Sequence, residues 1–177
     1  PTGIGVLWGR KALLDSMPPF NGGGEMIDVV TTETVTYGKV PHRFEAGTPP
    51  IVQAIGLAAS LEYMERIGRS AIAAHEASLG AYAHDQLSKI NSLRIIGTAP
   101  GKGAIISFAL GTTHAHDVST VLDRYGVAVR AGTHCAMPLL ERFGVTSTCR
   151  ASFAMYNTMA EVDALAEALE KARRFFA

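Results

Sequence analysis

Apolar residues follow several different spacings along the chain. From Ile4 to Trp8 they run almost unbroken between turn glycines, a pattern that predicts a short buried strand. Such a strand needs neighbours on both edges, and the residues just after it offer few. The chain is therefore expected to be the C-terminal part of something longer. Residues 18 to 50 show no clear period: "PPFNGGGEMI", a Thr/Val-rich run, then "VPHRFEAGTPP". Gly22, Gly23 and Gly24 allow backbone angles that other residues resist, and Val29 to Tyr37 reads as extended. A stretch this long and irregular is either a surface linker or a functional loop that covers a neighbouring subunit.

From Ile51 to Ile67 apolar residues occupy nearly every face (Ile51, Val52, Ile55, Leu57, Leu61, Met64). That predicts a helix buried all round, stopped by Gly68. An alanine-rich helix follows from Ser70 to Ile90, with Ile72, Leu79, Leu87 and Ile90 inward and His75, Glu76 and Asp85 outward. Strands and helices then alternate. Leu93–Ile96 and Ala104–Leu110 read as strands around the turn "APGKG". Val118, Val121, Leu122 and Tyr125 share one helical face, ended by Gly126. Val127 to Arg130 reads as a strand, Met137 to Phe143 as one or two helical turns, and Arg150 to Met155 as another strand. "TMAE" pairs Thr158 with Glu161 in a capping box, opening a last helix with Val162, Leu165, Leu169, Ala172 and Phe176 on one stripe. The expectation is a small α/β unit from about 70 to 177, three or four strands with helices against one face.

Composition narrows the function classes. Apolar residues make up 47% of the 177 and charged residues 18%, enough for a real core and unlike a disordered chain. Sixteen Lys plus Arg balance sixteen Asp plus Glu, and without a basic block nucleic acid is not an expected partner. The apolar runs are too short to span a bilayer, so no membrane is expected either. Two cysteines, Cys135 and Cys149, do not make a disulfide scaffold and fit a reduced, cytoplasmic protein.

The residues that could carry chemistry gather in "RAGTHCAMPL", Arg130 to Leu139. Arg130 and His134 could lower the thiol pKa of Cys135, and Pro138 suits a first helical turn. Taken alone, a single cysteine in such a loop is more often inert packing than a nucleophile. Cys149 reads as buried and non-reactive. Cys135, His134, His114 and His116 match no common structural zinc spacing, so no intrinsic metal site is expected. Arg150 opens an apolar strand and calls for an anion, either a ligand carboxylate held by its planar fork or a structural salt-bridge partner. Gly47 and Thr48 precede the helix at 51 and could bind phosphate or simply cap it.

Together "PTGIGVLWGR", "FEAGTP", "RAGTHCAMPL" and "CRASFAMYNT", in this order across residues 1–158, resemble the C-terminal part of a cysteine desulfurase of the SUF type, grouped with selenocysteine lyases. The resemblance covers the whole chain. It implies an aminotransferase-like (type I) fold that works with pyridoxal 5'-phosphate, a cofactor that acts as an electron sink. It implies that L-cysteine becomes alanine while a thiolate takes the sulfur as a persulfide, which passes to an acceptor protein for iron–sulfur cluster assembly. On this resemblance Cys135 is the nucleophile, and His134 beside it is a second catalytic residue. Arg150 holds the substrate carboxylate and Arg130 is a nearby active-site arginine. Gly47 and Thr48 reach the cofactor phosphate of the other subunit of a homodimer. Residues 1–50 would end the large cofactor domain, 51–69 would be a connecting helix, and 70–177 would be the small domain.

The chain departs from the pattern in two places. Where relatives often carry two histidines before the cysteine, Thr133 stands in the first position and only His134 remains. The cofactor lysine lies, by the resemblance, a few residues before "PTGIG"; Lys11 comes after it and does not match, so these residues alone are expected to be inactive. A non-catalytic sulfur-accepting module, and a lyase for selenocysteine or cysteine sulfinate, are the alternatives. His116 in "HAHD" is either a solvated residue at a helix start or a ligand for a partner's zinc.

Overall fold

The structure, a computed structural model, describes residues 3–177; Pro1 and Thr2 of the "PTGIG" motif lie outside the described residues. The chain divides into two compact units between Arg66 and Ile67.

The first unit has little regular structure. Helix α1 (Lys11–Ser16) is followed by a hairpin of β1 (Ile27–Val30) and β2 (Val35–Tyr37), a 3-10 turn at His42–Phe44, and helix α2 (Ile51–Ile67), whose last residue falls in the second unit. The hairpin pairs antiparallel, Val30 opposite Val35, so the extended reading of 29–37 resolves into two strands and a turn. Thr31 tightens that turn by accepting from the amides of Glu33 and Thr34. Two expectations are corrected here. Residues 4–8 form no strand, and Val6, Leu7 and Trp8 are exposed. An apolar run becomes a strand only when a partner takes its N–H and C=O groups, and no described strand does so. Helix α2 forms as read, but none of its residues is buried: Val52 is 77% exposed and Ile55 67%. A helix apolar on every face needs cover on every side, and the described residues do not supply it.

The second unit is a two-layer α/β sandwich. Helix α3 (Arg69–Ser88) comes first, then β3 (Leu93–Ile96), β4 (Ile105–Leu110), α4 (Ala115–Arg124), β5 (Arg130–Gly132), α5 (Met137–Arg142), β6 (Thr148–Ser152) and α6 (Met159–Phe175). The four strands lie in the order β3-β4-β6-β5 and every neighbouring pair is antiparallel. Side chains alternate between the faces with period two. Ile106, Phe108 and Leu110 of β4 and Cys149 and Ala151 of β6 point into the core, where they meet Leu79, Ala83 and Leu87 of α3, Val118 and Leu122 of α4, and Val162, Leu165 and Leu169 of α6. Gly80 lets α3 come close to the entry of β4, since a Cβ there would sit 3.3 Å from the Cα of Ala104. The capping box of α6 forms as read, with Thr158 and Glu161 each bonding the other's backbone N–H.

Boundaries shift where side-chain chemistry intervenes. β6 ends at Ser152 and not at Met155, because the amide of Ala154 turns to the Oδ1 of Asn157 at 2.9 Å. Tyr125 and Phe176 leave the buried stripes of their helices: each is the C-terminal cap and is exposed. No helix among the described residues is long and apolar enough to cross a membrane.

Phe108 is fully buried at the centre of this core. Phe108→Ala is expected to lower stability by about 3–5 kcal/mol through the cavity it leaves, and Thr158→Ala by about 1 kcal/mol through the lost cap; urea unfolding of both variants checks the difference.

Candidate active site

With α3, α4 and α6 on one face of the sheet, the other face carries the polar side chains of its central and edge strands. Arg130 on β5 stands directly opposite Arg150 on β6, and Arg150 stands opposite Ser107 on β4. The pairing places both guanidinium groups in one row on the face away from the core. Like charges directly across a strand pair are unfavourable unless something neutral or negative lies between them. No salt bridge to either arginine exists among the described residues, and the Nε of Arg150 is enclosed with no hydrogen-bond partner. Among the described residues Arg150 therefore has no structural salt-bridge partner. Two opposed arginines, one with an unused buried donor, offer hydrogen-bonding capacity of the kind that suits an anion. Ser107 and its place beside Arg150 escaped the sequence reading; writing the two strands in register would have revealed it.

Cys135 sits just past the end of β5, at the tip of a tight turn. The amide of Ala136 donates to the carbonyl of Thr133 at 3.0 Å, and the two central residues, His134 and Cys135, have φ of 53° and 57°. Positive φ at both centres is the pattern of a type I′ turn, which Asn and Gly adopt far more readily than His and Cys. The turn puts Cys135 at the surface, exposed. The Nε2 of His134 lies 3.0 Å from the carbonyl oxygen of Thr148. A carbonyl only accepts, so Nε2 carries the hydrogen. The other ring nitrogen, Nδ1, is enclosed without a partner. Thr148 is itself buried, two residues before Arg150, and is the second residue the sequence reading missed. Helix α5 behind the turn has six residues with Pro138 in its first turn, too short to add much of a dipole at Cys135.

Cys149 has the opposite environment. It faces the core, 1% exposed, and its thiol donates to the carbonyl of Ala115 at 3.1 Å. Burial pushes the thiol up to about 12, a rise only partly offset by a backbone hydrogen bond from Ser119. The reading of Cys149 as inert packing stands. His116 is exposed on the first turn of α4, where its amide donates to the Nδ1 of His114. No group of three or more His, Cys, Asp or Glu among the described residues is arranged to hold a metal.

Gly47 and Thr48 belong to the first unit. Gly47 has φ +81°, and its amide donates to the carbonyl of Gly24 at 2.9 Å. Gly23 closes on the same segment, its missing Cβ position 3.3 Å from that of Ala46. This corrects the expectation that the Gly47 N–H is available to a phosphate: the glycine loop already takes it. Thr48 is exposed, and neither its hydroxyl nor its N–H is engaged among the described residues. Helix α2 starts with Ile51 donating to Pro49 and Ala54 to Pro50, so Thr48 does not act as its cap.

Comparison with known proteins places this arrangement. The family model for aminotransferase class-V matches residues 1–165. The chain belongs to that family. It is 55% identical over 178 aligned residues to a probable cysteine desulfurase of Streptomyces coelicolor, covering 99% of this chain and 43% of the relative. It is 48% identical to a cysteine desulfurase of Haloferax volcanii, covering 100% of this chain and 42% of that protein. Among solved structures it is similar to the cysteine desulfurase CsdA of Escherichia coli in its S-sulfonic acid form, with a TM-score of 0.91 and 40% identity over 99% of this chain and 43% of that one. The apo cysteine desulfurase of Thermococcus onnurineus NA1 gives a TM-score of 0.90 at 37% identity, covering 99% of this chain and 44% of that one. The fold is thus that of the matched part of an aminotransferase-like enzyme, and the chain spans less than half the length of these relatives.

The two thiols should separate cleanly in experiment. Native protein treated with iodoacetamide at pH 8 is expected to label Cys135 and spare Cys149, with both labelled after denaturation, as peptide mass spectrometry would show. The raised thiol of Cys149 also sets a sign for stability. The folded state holds the proton more tightly than the unfolded state, so this contribution is present at neutral pH and is lost as pH rises from the ordinary thiol range toward about 12. Cys149→Ala should flatten that alkaline decline in urea unfolding midpoints.

Proposed function

We propose that these residues form the cysteine-bearing part of a cysteine desulfurase that takes sulfur from L-cysteine onto Cys135. The observation that carries the reading is the Arg130–Arg150 cross-strand pair with its unused donor, set beside a surface-exposed cysteine at a turn tip. An amino-acid carboxylate is an anion that a guanidinium fork binds with two hydrogen bonds. Arg150 anchors that carboxylate, and Arg130 adds positive charge on the same row. The Cys135 thiolate attacks the substrate sulfur. The new S–S bond forms as the substrate C–S bond breaks, the carbon takes a proton, and the products are alanine and a Cys135 persulfide, so atoms balance. Names of relatives that match nearly the whole chain support the same reading.

The chain's residues fit pyridoxal phosphate in part. Thr48, with a free hydroxyl and N–H beside the committed Gly47, suits one edge of a phosphate, and on this reading it serves the partner subunit of a homodimer. The cofactor, when bound, supplies the electron sink that lets the C–S bond break; no lysine to hold it is proposed among these residues. Residues 1–50 are read as the end of the large cofactor domain, 51–69 as the connecting helix and 70–177 as the small domain. The exposed position of Cys135 suits release of the persulfide sulfur to an acceptor protein, in a cytoplasmic route to iron–sulfur clusters.

The test uses the full-length enzyme with pyridoxal phosphate and L-cysteine, following alanine release and mapping persulfide by peptide mass spectrometry. Persulfide on Cys135, lost together with alanine in Cys135→Ser, is the expected result; alanine without persulfide at Cys135 would overturn the assignment. Arg150→Ala should raise KM for L-cysteine roughly 10- to 100-fold, the worth of hydrogen bonds to a charged group, read from steady-state alanine production.

A further inference from the structure

We propose that His134 is a positioning residue, which fixes the place of the Cys135 sulfur by tying the turn to β6 and carries no proton in the reaction. What Cys135 does rests on the desulfurase reading above; the role of His134 follows from the turn's conformation and stands independently of it.

Two adjacent non-glycine residues in the left-handed region are conformationally costly. His134 and Cys135 both adopt it. A turn of this sequence would relax to negative φ unless its surroundings held it, and relaxation would swing the Cys135 side chain away from its present direction. The turn's own hydrogen bond, Ala136 to Thr133, spans four residues and is compatible with other turn types. The side-chain contact that fastens the turn to the sheet is His134 Nε2–H to the carbonyl of Thr148. Thr148 stands opposite Gly132 on β5 and two residues before Arg150 on β6. The histidine therefore closes a rigid piece: β5, the turn and β6 are joined at both ends, with the thiol and the anion-binding arginine on the same piece.

The geometry speaks against a proton-carrying role. A general acid or base must present a ring nitrogen to the reacting group or to water. Here Nε2–H is spent on a backbone carbonyl and Nδ1 is enclosed with no partner. His134 is the one imidazole of the turn, with Thr133 before it and Cys135 after it.

The full-length enzyme with cofactor decides the matter through His134→Asn and His134→Ala. Neither substitute has an imidazole, but Asn tolerates positive φ far better than Ala. Positioning predicts that kcat falls by roughly tenfold or more in His134→Ala, in the range that a small misplacement of a nucleophile costs, and less in His134→Asn. KM for L-cysteine should stay within about twofold, because Arg150 lies outside the turn. Both variants should keep the limbs of the wild-type kcat–pH profile. Independently of activity, hydrogen exchange of the Ala136 amide should quicken in both variants, most in His134→Ala. Loss of one pH limb, equal in the two variants, would overturn the proposal and make His134 a proton carrier. Unchanged kcat with unchanged exchange would also overturn it, since something else would then hold the turn. Should His134→Ala fail to fold, His134→Asn against wild type carries the same outcomes. If the wild type itself releases no alanine, the desulfurase reading falls, and the exchange comparison still decides whether His134 holds the turn.

Discussion

Burial of one face of the four-stranded sheet by α3, α4 and α6 decides where each side chain of β4, β5 and β6 points. Because successive residues on a strand alternate, Cys149 and Ala151 go into the core and Arg150 must come out. A one-residue slip of β6 would put a guanidinium among Phe108, Leu122 and Val162, at a desolvation cost no neighbour there could offset. The same register that satisfies the core therefore sets Arg150 against Arg130 on β5 and Ser107 on β4. The chemistry of the face away from the helices is a by-product of how the helix-covered face packs.

This explains which parts were legible in the sequence. Strand β3, the two amphipathic helices α4 and α6 and the capping box at Thr158 follow from local rules, because their periodicity and end signals lie within a few residues of each other. Arg150 and Cys135 stood out as an arginine in an apolar strand and a thiol in a glycine turn. Their relation did not, since it depends on pairing between segments some way apart in the chain. The ends of β6 and the role of Thr148 were hidden for another reason. Asn157 captures the amide of Ala154, and His134 captures the carbonyl of Thr148; side chains that compete for backbone groups leave no periodic trace. Gly47 misled in the same way, because its amide belongs to Gly24.

The first unit shows the limit of hydrophobic patterning. The apolar run at 4–8 and the all-round apolar α2 both announce burial, and neither is covered within the described residues. Met26 is the one large side chain of that unit that is fully enclosed among them. Pattern reports that a face must be covered; it does not report by what. The contrast is with α6, whose single stripe finds its cover within the second unit.

The enclosure of Cys149 bears on how long a sulfur cargo could survive. A persulfide that meets a second thiolate on the same chain reacts with it, leaving a disulfide and expelling hydrosulfide. In these 177 residues there are only two thiols, and the second is wrapped in core side chains with its hydrogen turned to the Ala115 carbonyl. On the desulfurase reading, that enclosure keeps Cys149 away from the sulfur on Cys135, and these residues hold no other thiol that could take it.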